Sequence, residues 1–197
     1  MPKEQVDIAE MLIRKAGVHL AEAYTAFWEA STPGLSAKKM LELRQKEAEA
    51  CIQCLLLFQS GMEAIINEEI STNKRLAGVR KEREYHQRKV RDLSFKNKWE
   101  NSYKALEVED TEKHLESYLD FYRDYRVPIT HPKNRYFDVS PYTFPVTYGG
   151  MRNGWLAFMT LISKWEDSAR VQSWEEFCNT NNLPSNYSSR GFNGSEK

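Results

Sequence analysis

Apolar residues recur along residues 3–30 at steps of three and four: Ala9, Leu12, Ile13, Ala16, Leu20, Ala23, Tyr24 and Phe27. That spacing places them on one face of a helix. Ser31-Thr32-Pro33-Gly34 closes it, because proline and glycine both interrupt helical backbone. Ser36 then offers an N-cap for a longer helix reaching about Ile70. Its apolar line is Cys51, Leu55, Phe58, Met62 and Ile65, widened by Ile52, Leu56 and Ile66, which predicts a helix central to the core.

Beyond it the pattern changes. Residues 71–93 are poor in apolar side chains and read as a solvated basic helix or an ordered excursion between core helices. Ser94 caps a helix to Leu106, with Phe95 and Trp99 four apart. Asp110 or Thr111 starts the next, which carries Leu115, Tyr118, Leu119 and Tyr122 and runs out near Arg126. Pro128 sets that limit, since it disfavours helical geometry at Val127 and lacks an amide donor.

From Val127 to Gly150 four prolines and five aromatic residues predict a structured loop, with a short extended piece at Thr143–Thr147. Trp155, Phe158, Met159, Ile162 and Trp165 mark a helix near 151–169, and Trp174 with Phe177 a last short one. The Asn/Ser/Gly-rich end, residues 181–197, reads as a loose polar tail. Together these elements predict one all-α domain over residues 1–180. Its expected form is an up-and-down bundle of four main helices with a basic helical insertion and a Pro/aromatic-rich loop.

Composition narrows the class. The chain has 197 residues, 41% of them hydrophobic and 12% aromatic, which is enough to build a core and excludes global disorder. The N-terminus is polar, with no secretory signal, and no stretch approaches 18 uncharged apolar residues, so no membrane span is expected. Three cysteines form no disulfide framework, which favours free thiols in a reducing, cytoplasmic compartment. The pair in Cys51-Ile52-Gln53-Cys54 falls mid-helix in an apolar stripe and reads as core packing.

Formal charge sums to zero, but its distribution is uneven. Lys74, Arg75, Arg80, Lys81, Arg83, Arg88, Lys89 and Arg91 stand against only Glu82 and Glu84. Residues 100–120 carry the opposite excess, with Glu100, Glu107, Glu109, Asp110, Glu112, Glu116 and Asp120 against Lys104 and Lys113. Two readings of the basic block stand side by side. It is an RNA-phosphate surface built from Arg80, Lys81, Arg83, Arg88, Lys89 and Arg91, or it pairs with the acidic block within the chain or across a dimer.

One constellation can carry chemistry. Arg126 and His131 flank Val127-Pro128-Ile129-Thr130 directly after an aromatic helix. Histidine exchanges protons near neutral pH, and arginine holds phosphate oxygens with parallel hydrogen bonds. Together they could support metal-free attack of a ribose 2′-hydroxyl on the adjacent phosphate. The plainer reading is an arginine at a helix C-terminus and a loop histidine bonded to backbone.

The stretch Tyr125-Arg126-Val127-Pro128-Ile129-Thr130-His131-Pro132 resembles the signature of the HEPN superfamily, an arginine followed four to six residues later by histidine. Gly61-Met62-Glu63-Ala64-Ile65-Ile66-Asn67 resembles that family's second long helix, and Ser94-Phe95-Lys96-Asn97-Lys98-Trp99 the opening of the next. The three pieces occur in the family's order and cover about residues 40–165, with residues 1–39 as the first helix. The resemblance implies an all-α, dimeric protein. It also implies a metal-independent endoribonuclease of a prokaryotic defence or toxin–antitoxin type, using Arg126 and His131 without metal or cofactor. RNA, a second copy of the chain and a protein partner such as an antitoxin are the implied partners. The sequence departs from active members at Val127, where they usually carry a polar residue. That departure keeps a second implication open: a non-catalytic, HEPN-like dimeric module that binds a protein or nucleic acid.

Overall fold

The structure, a computed structural model, describes residues 7–87, 93–131, 138–164 and 172–187. It is an all-α fold, with no strand among the described residues. Helix α1 spans Ile8–Ala30, and Asp7 caps it by accepting from the Glu10 amide at 3.0 Å. Helix α2 spans Ala37–Thr72, and Ser36 caps it as expected, accepting from the Lys39 amide. The two pack along their lengths through the apolar stripes read above, with Leu20, Cys51, Cys54, Phe58 and Met62 all without solvent contact. An 18-residue window of α2 is apolar enough to cross a membrane by length and composition, and half of it is buried inside the bundle.

A 3-10 turn, Lys74–Leu76, leads into α3, Ala77–Gln87. Helix α4, Phe95–Ala105, is capped by Ser94. Helix α5, His114–Phe121, starts a few residues later than Asp110 or Thr111. The Asp110 carboxylate still serves its first turn, accepting from the amides of Leu115 and Glu116 at 3.0 and 3.2 Å. Helix α6 is Val127–Thr130, α7 is Phe144–Ile162 and α8 is Trp174–Thr180.

Helices α5 and α7 pack closely because α7 carries glycines where they meet. A Cβ at Gly154 would lie 2.6 Å from the Tyr118 ring, and one at Gly150 would overlap the Phe121 ring. Tyr118, fully buried, donates its hydroxyl to Gln59 Oε1 at 2.7 Å and so ties α5 to α2.

Three expectations change. The Pro/aromatic segment is helical at both ends, and the proposed extended piece at Thr143–Thr147 is the N-terminal turn of α7. Pro145 sits in the first turn of that helix, where its missing amide costs no hydrogen bond. Helix α7 therefore covers 144–162 where 151–169 was expected; Trp165 lies outside the described residues. The Phe144 amide is met by Glu47, whose carboxylate, 1% exposed, accepts from it at 2.8 Å and from Arg44 Nη1 at 2.7 Å.

Residues 181–187 are also packed rather than loose. Leu183 is buried, and the Tyr148 hydroxyl donates to the carbonyls of Pro184 and Ser185 at 2.7 and 2.9 Å. Tyr187 sets its ring against Phe144, with centroids 5.2 Å apart. The remainder of the expected tail, 188–197, lies outside the described residues.

Candidate functional site

The third change concerns the segment that carries Arg126 and His131. Helix α5 does not end near Arg126. It passes into a π turn, Tyr122–Arg126, and continues through α6 to His131. A regular helix would bring the Pro128 ring against the Asp124 carbonyl and leave that carbonyl without a donor. The wider turn avoids this: the Val127 amide bonds back to the Tyr122 carbonyl, five residues earlier. Val127 takes helical angles despite preceding proline. Side chains supply hydrogen bonds around the break. The Tyr142 hydroxyl donates to the Tyr125 carbonyl at 2.9 Å, and Thr130 Oγ1 reaches the carbonyls of Arg126 and Val127 at 3.3 and 3.2 Å.

His131 caps the end of α6. Its amide bonds to the Val127 carbonyl at 3.0 Å, and its side chain is exposed. It is therefore not a buried histidine with both ring nitrogens engaged by backbone. Arg126 is half-buried, and its Nε is sealed from solvent with no acceptor among the described residues. Its guanidinium carbon lies 6.0 Å from the centroid of the Tyr122 ring, within cation–π range. Neighbouring Arg123 is engaged differently. It is exposed and grips Asp120 and Asp124, both at 2.8 Å.

The three motif pieces quoted for the family resemblance meet at this place. Lys98 of α4, 1% exposed, puts its ammonium 3.0 Å from Oε1 of Glu63 on α2, which is 40% exposed. Phe95, at the start of α4, stacks on Tyr122 with centroids 4.3 Å apart and planes at 16°. Burial raises the Tyr122 hydroxyl pKa; the Arg126 charge opposes that rise and the Glu63 charge adds to it. Tyr122 thus stands electrostatically between the two. Its role is the feature the sequence reading missed, although an aromatic four residues before an arginine on a helix was a visible signal.

The basic block divides. Arg80 directs Nε and Nη2 to the carbonyls of Ile70 and Asn73 at 2.9 and 3.0 Å, closing the C-terminal end of α2. Arg75 reaches the carbonyls of Lys164 and Leu106, both at 3.3 Å. Lys81 is exposed on α3 and Arg83 half-buried there. Arg88, Lys89 and Arg91 lie outside the described residues. Acidic residues of 100–120 form local pairs: Glu100 with Lys96, Glu112 with His114, Glu116 with Lys113 and Asp120 with Arg123.

The cysteines belong to the core. Cys54 Sγ contacts Met151 Sδ at 2.9 Å, and burial pushes the Cys51 thiol up to about 12 and Cys54 well above its ordinary value. Among the described residues no group of three or more His, Cys, Asp or Glu side chains gathers as a metal site would need. No family model, curated protein or solved structure matches the chain.

Proposed function

We propose that the protein is a HEPN-like, metal-independent endoribonuclease in which Arg126 and His131 act on one phosphodiester. The observation that carries this reading is the state of the two side chains. Within one continuous helical unit, an exposed imidazole follows an arginine whose Nε has no acceptor among the described residues. His131 removes the proton of the ribose 2′-hydroxyl, whose oxygen attacks phosphorus. The bond to the 5′-oxygen breaks, and that oxygen takes up a proton. Arg126 stabilises the charge that gathers on the non-bridging oxygens. The products are a 2′,3′-cyclic phosphate and a 5′-hydroxyl. Exposed Lys81, together with Arg83, Arg88, Lys89 and Arg91, supplies a sequence-independent hold on RNA. A homodimer, a defence or toxin–antitoxin setting and an antitoxin-like partner follow from the same family resemblance.

The test is incubation of purified protein with an oligoribonucleotide in EDTA, with product ends identified by mass. Cleavage to cyclic-phosphate ends, lost in both Arg126→Ala and His131→Ala while the fold persists, supports the reading. Activity retained in both variants ends it. One observation favours the non-catalytic module. An apolar groove of about 550 Å³ lies along α2 beside residues 138–143, lined by Leu41, Ala48, Val139 and Tyr142. RNA or protein binding without cleavage is the outcome that selects it.

A further inference from the structure

Arg126 lies over an aromatic ring that is itself held in place. The Tyr122 ring is stacked on Phe95, which is buried at the start of α4, so one ring face is taken. The guanidinium lies over the ring at 6.0 Å from its centroid. The π turn keeps Tyr122 and Arg126 within this one unit, and the Val127-to-Tyr122 hydrogen bond closes it. Nε is sealed from solvent without an acceptor among the described residues, while Arg126 as a whole is only half-buried. A flexible arginine loses rotamer freedom when it grips a phosphate. A guanidinium already resting on a fixed ring has lost part of that freedom beforehand, so more of its interaction with an oxyanion appears as binding.

We propose that Tyr122 is a positioning residue for Arg126: its Phe95-backed ring orients the guanidinium so that the terminal nitrogens meet the oxygens of an RNA phosphate. The proposal rests on the assignment of Arg126 to the phosphate made above, but not on cleavage taking place. Tyr122 needs its ring for this role and not its hydroxyl, which separates positioning from proton transfer. Phenylalanine should therefore replace it, and an aliphatic side chain should not.

The probe is inorganic phosphate, titrated into the full chain while the Arg126 Nε–H resonance is followed by NMR and assigned through its loss in Arg126→Lys. The expected result is a phosphate-dependent shift with the same midpoint in wild type and Tyr122→Phe, and a midpoint about fivefold or more weaker in Tyr122→Leu. If Tyr122→Leu fails to fold, Tyr122→Met, unbranched and able to adapt to the gap, offers no π face and gives the same reading. Equal midpoints in wild type and a folded aliphatic variant overturn the proposal, as does a wild-type resonance that phosphate leaves unmoved. Oligoribonucleotide cleavage, measured in parallel, separates the two claims. Ring-dependent phosphate binding without cleavage keeps Tyr122 as positioning residue and removes the nuclease reading. Cleavage with kcat and KM unchanged in Tyr122→Leu keeps the nuclease reading and removes Tyr122.

Discussion

The Lys98 ammonium, almost wholly buried on α4, sits 3.0 Å from the carboxylate of the partly exposed Glu63 on α2. The pair is asymmetric, and its two halves should respond differently to removal. Without Glu63, a buried ammonium loses this partner. Without Lys98, the carboxylate turns toward water that already reaches it. We expect Glu63→Ala to cost about 1–3 kcal/mol, an amount reduced by the exposure of the carboxylate. Lys98→Met should cost clearly less. Urea unfolding of the two variants checks this, and a larger loss in Lys98→Met would contradict it.

The paired helices α1 and α2 were legible from the sequence because each has one wide apolar stripe, and Ser36 marks the start of the second; the Asp7 cap of α1 falls inside the helix expected over residues 3–30. The segment around Arg126 was less so. Pro128 truly conflicts with regular helix, but the conflict is resolved by a widened turn that spacing rules do not describe. Pro145 reads as one more loop proline in the sequence, although at the first turn of a helix the same residue is compatible with a start. The buried carboxylate of Glu47 could not be placed at the α7 N-terminus from sequence, since 97 residues separate it from Phe144. Tyr122 and Arg126 stand four apart in the sequence, whereas the Phe95 ring that backs Tyr122 comes from α4 and is placed there only by tertiary packing.

Glu47 is the next test. Its carboxylate bridges Arg44 and the first amide of α7, and Thr143 makes no side-chain cap there. Removing it leaves a buried helix N-terminus without its acceptor. We expect Glu47→Ala to lower stability by about 2–3 kcal/mol, the range of a charged hydrogen bond combined with a cap. Arg44→Ala, half-exposed, should cost less. Denaturant midpoints for the two variants decide the order.

Alkaline pH should unfold the protein for an identifiable reason. Burial keeps the thiols of Cys51, Cys54 and Cys178 and the hydroxyl of Tyr118 neutral in the folded state, all with raised pKa values, Cys51 at about 12. The unfolded chain releases these protons first, from about pH 9 upward. Above that point it binds fewer protons than the folded state, so stability falls as pH rises; below it these groups add no slope. The urea midpoint should drop between about pH 9 and 11, and less so in Cys51→Ala/Cys54→Ala. A thiol reagent at neutral pH should label none of the three cysteines until urea unfolds the chain.

Two neighbouring cations of the basic helix should separate by function. Arg80 closes the α2 C-terminus through two carbonyls, whereas Lys81 is exposed. Arg80→Ala should lower the melting temperature, with a loss of about 1–2 kcal/mol. Lys81→Ala should leave it unchanged and reduce the salt dependence of RNA binding by about one unit of slope. A Lys81→Ala variant that binds RNA with unaltered affinity and slope takes α3 out of the RNA-binding surface.

Pro128 imposes the π turn, so removing it tests whether that turn matters to Arg126. Alanine restores an amide at 128 that can bond to the Asp124 carbonyl, and it removes the ring that kept this carbonyl away. The backbone can then relax to ordinary helix, and the Val127-to-Tyr122 bond that closes the turn is no longer required. Alanine also has the higher helix propensity, so the fold gains stability or keeps it. An ordinary helix also sets residues four apart side by side, so Arg126 keeps its place beside the Tyr122 ring. We therefore expect Pro128→Ala to melt at or above the wild-type temperature and to bind phosphate at Arg126 with a midpoint close to that of the wild type. Stability and phosphate binding falling together would mean that Pro128 braces the segment. Stability kept with phosphate binding about fivefold or more weaker would mean that the wide turn itself, and not the spacing of four, sets the guanidinium over the ring.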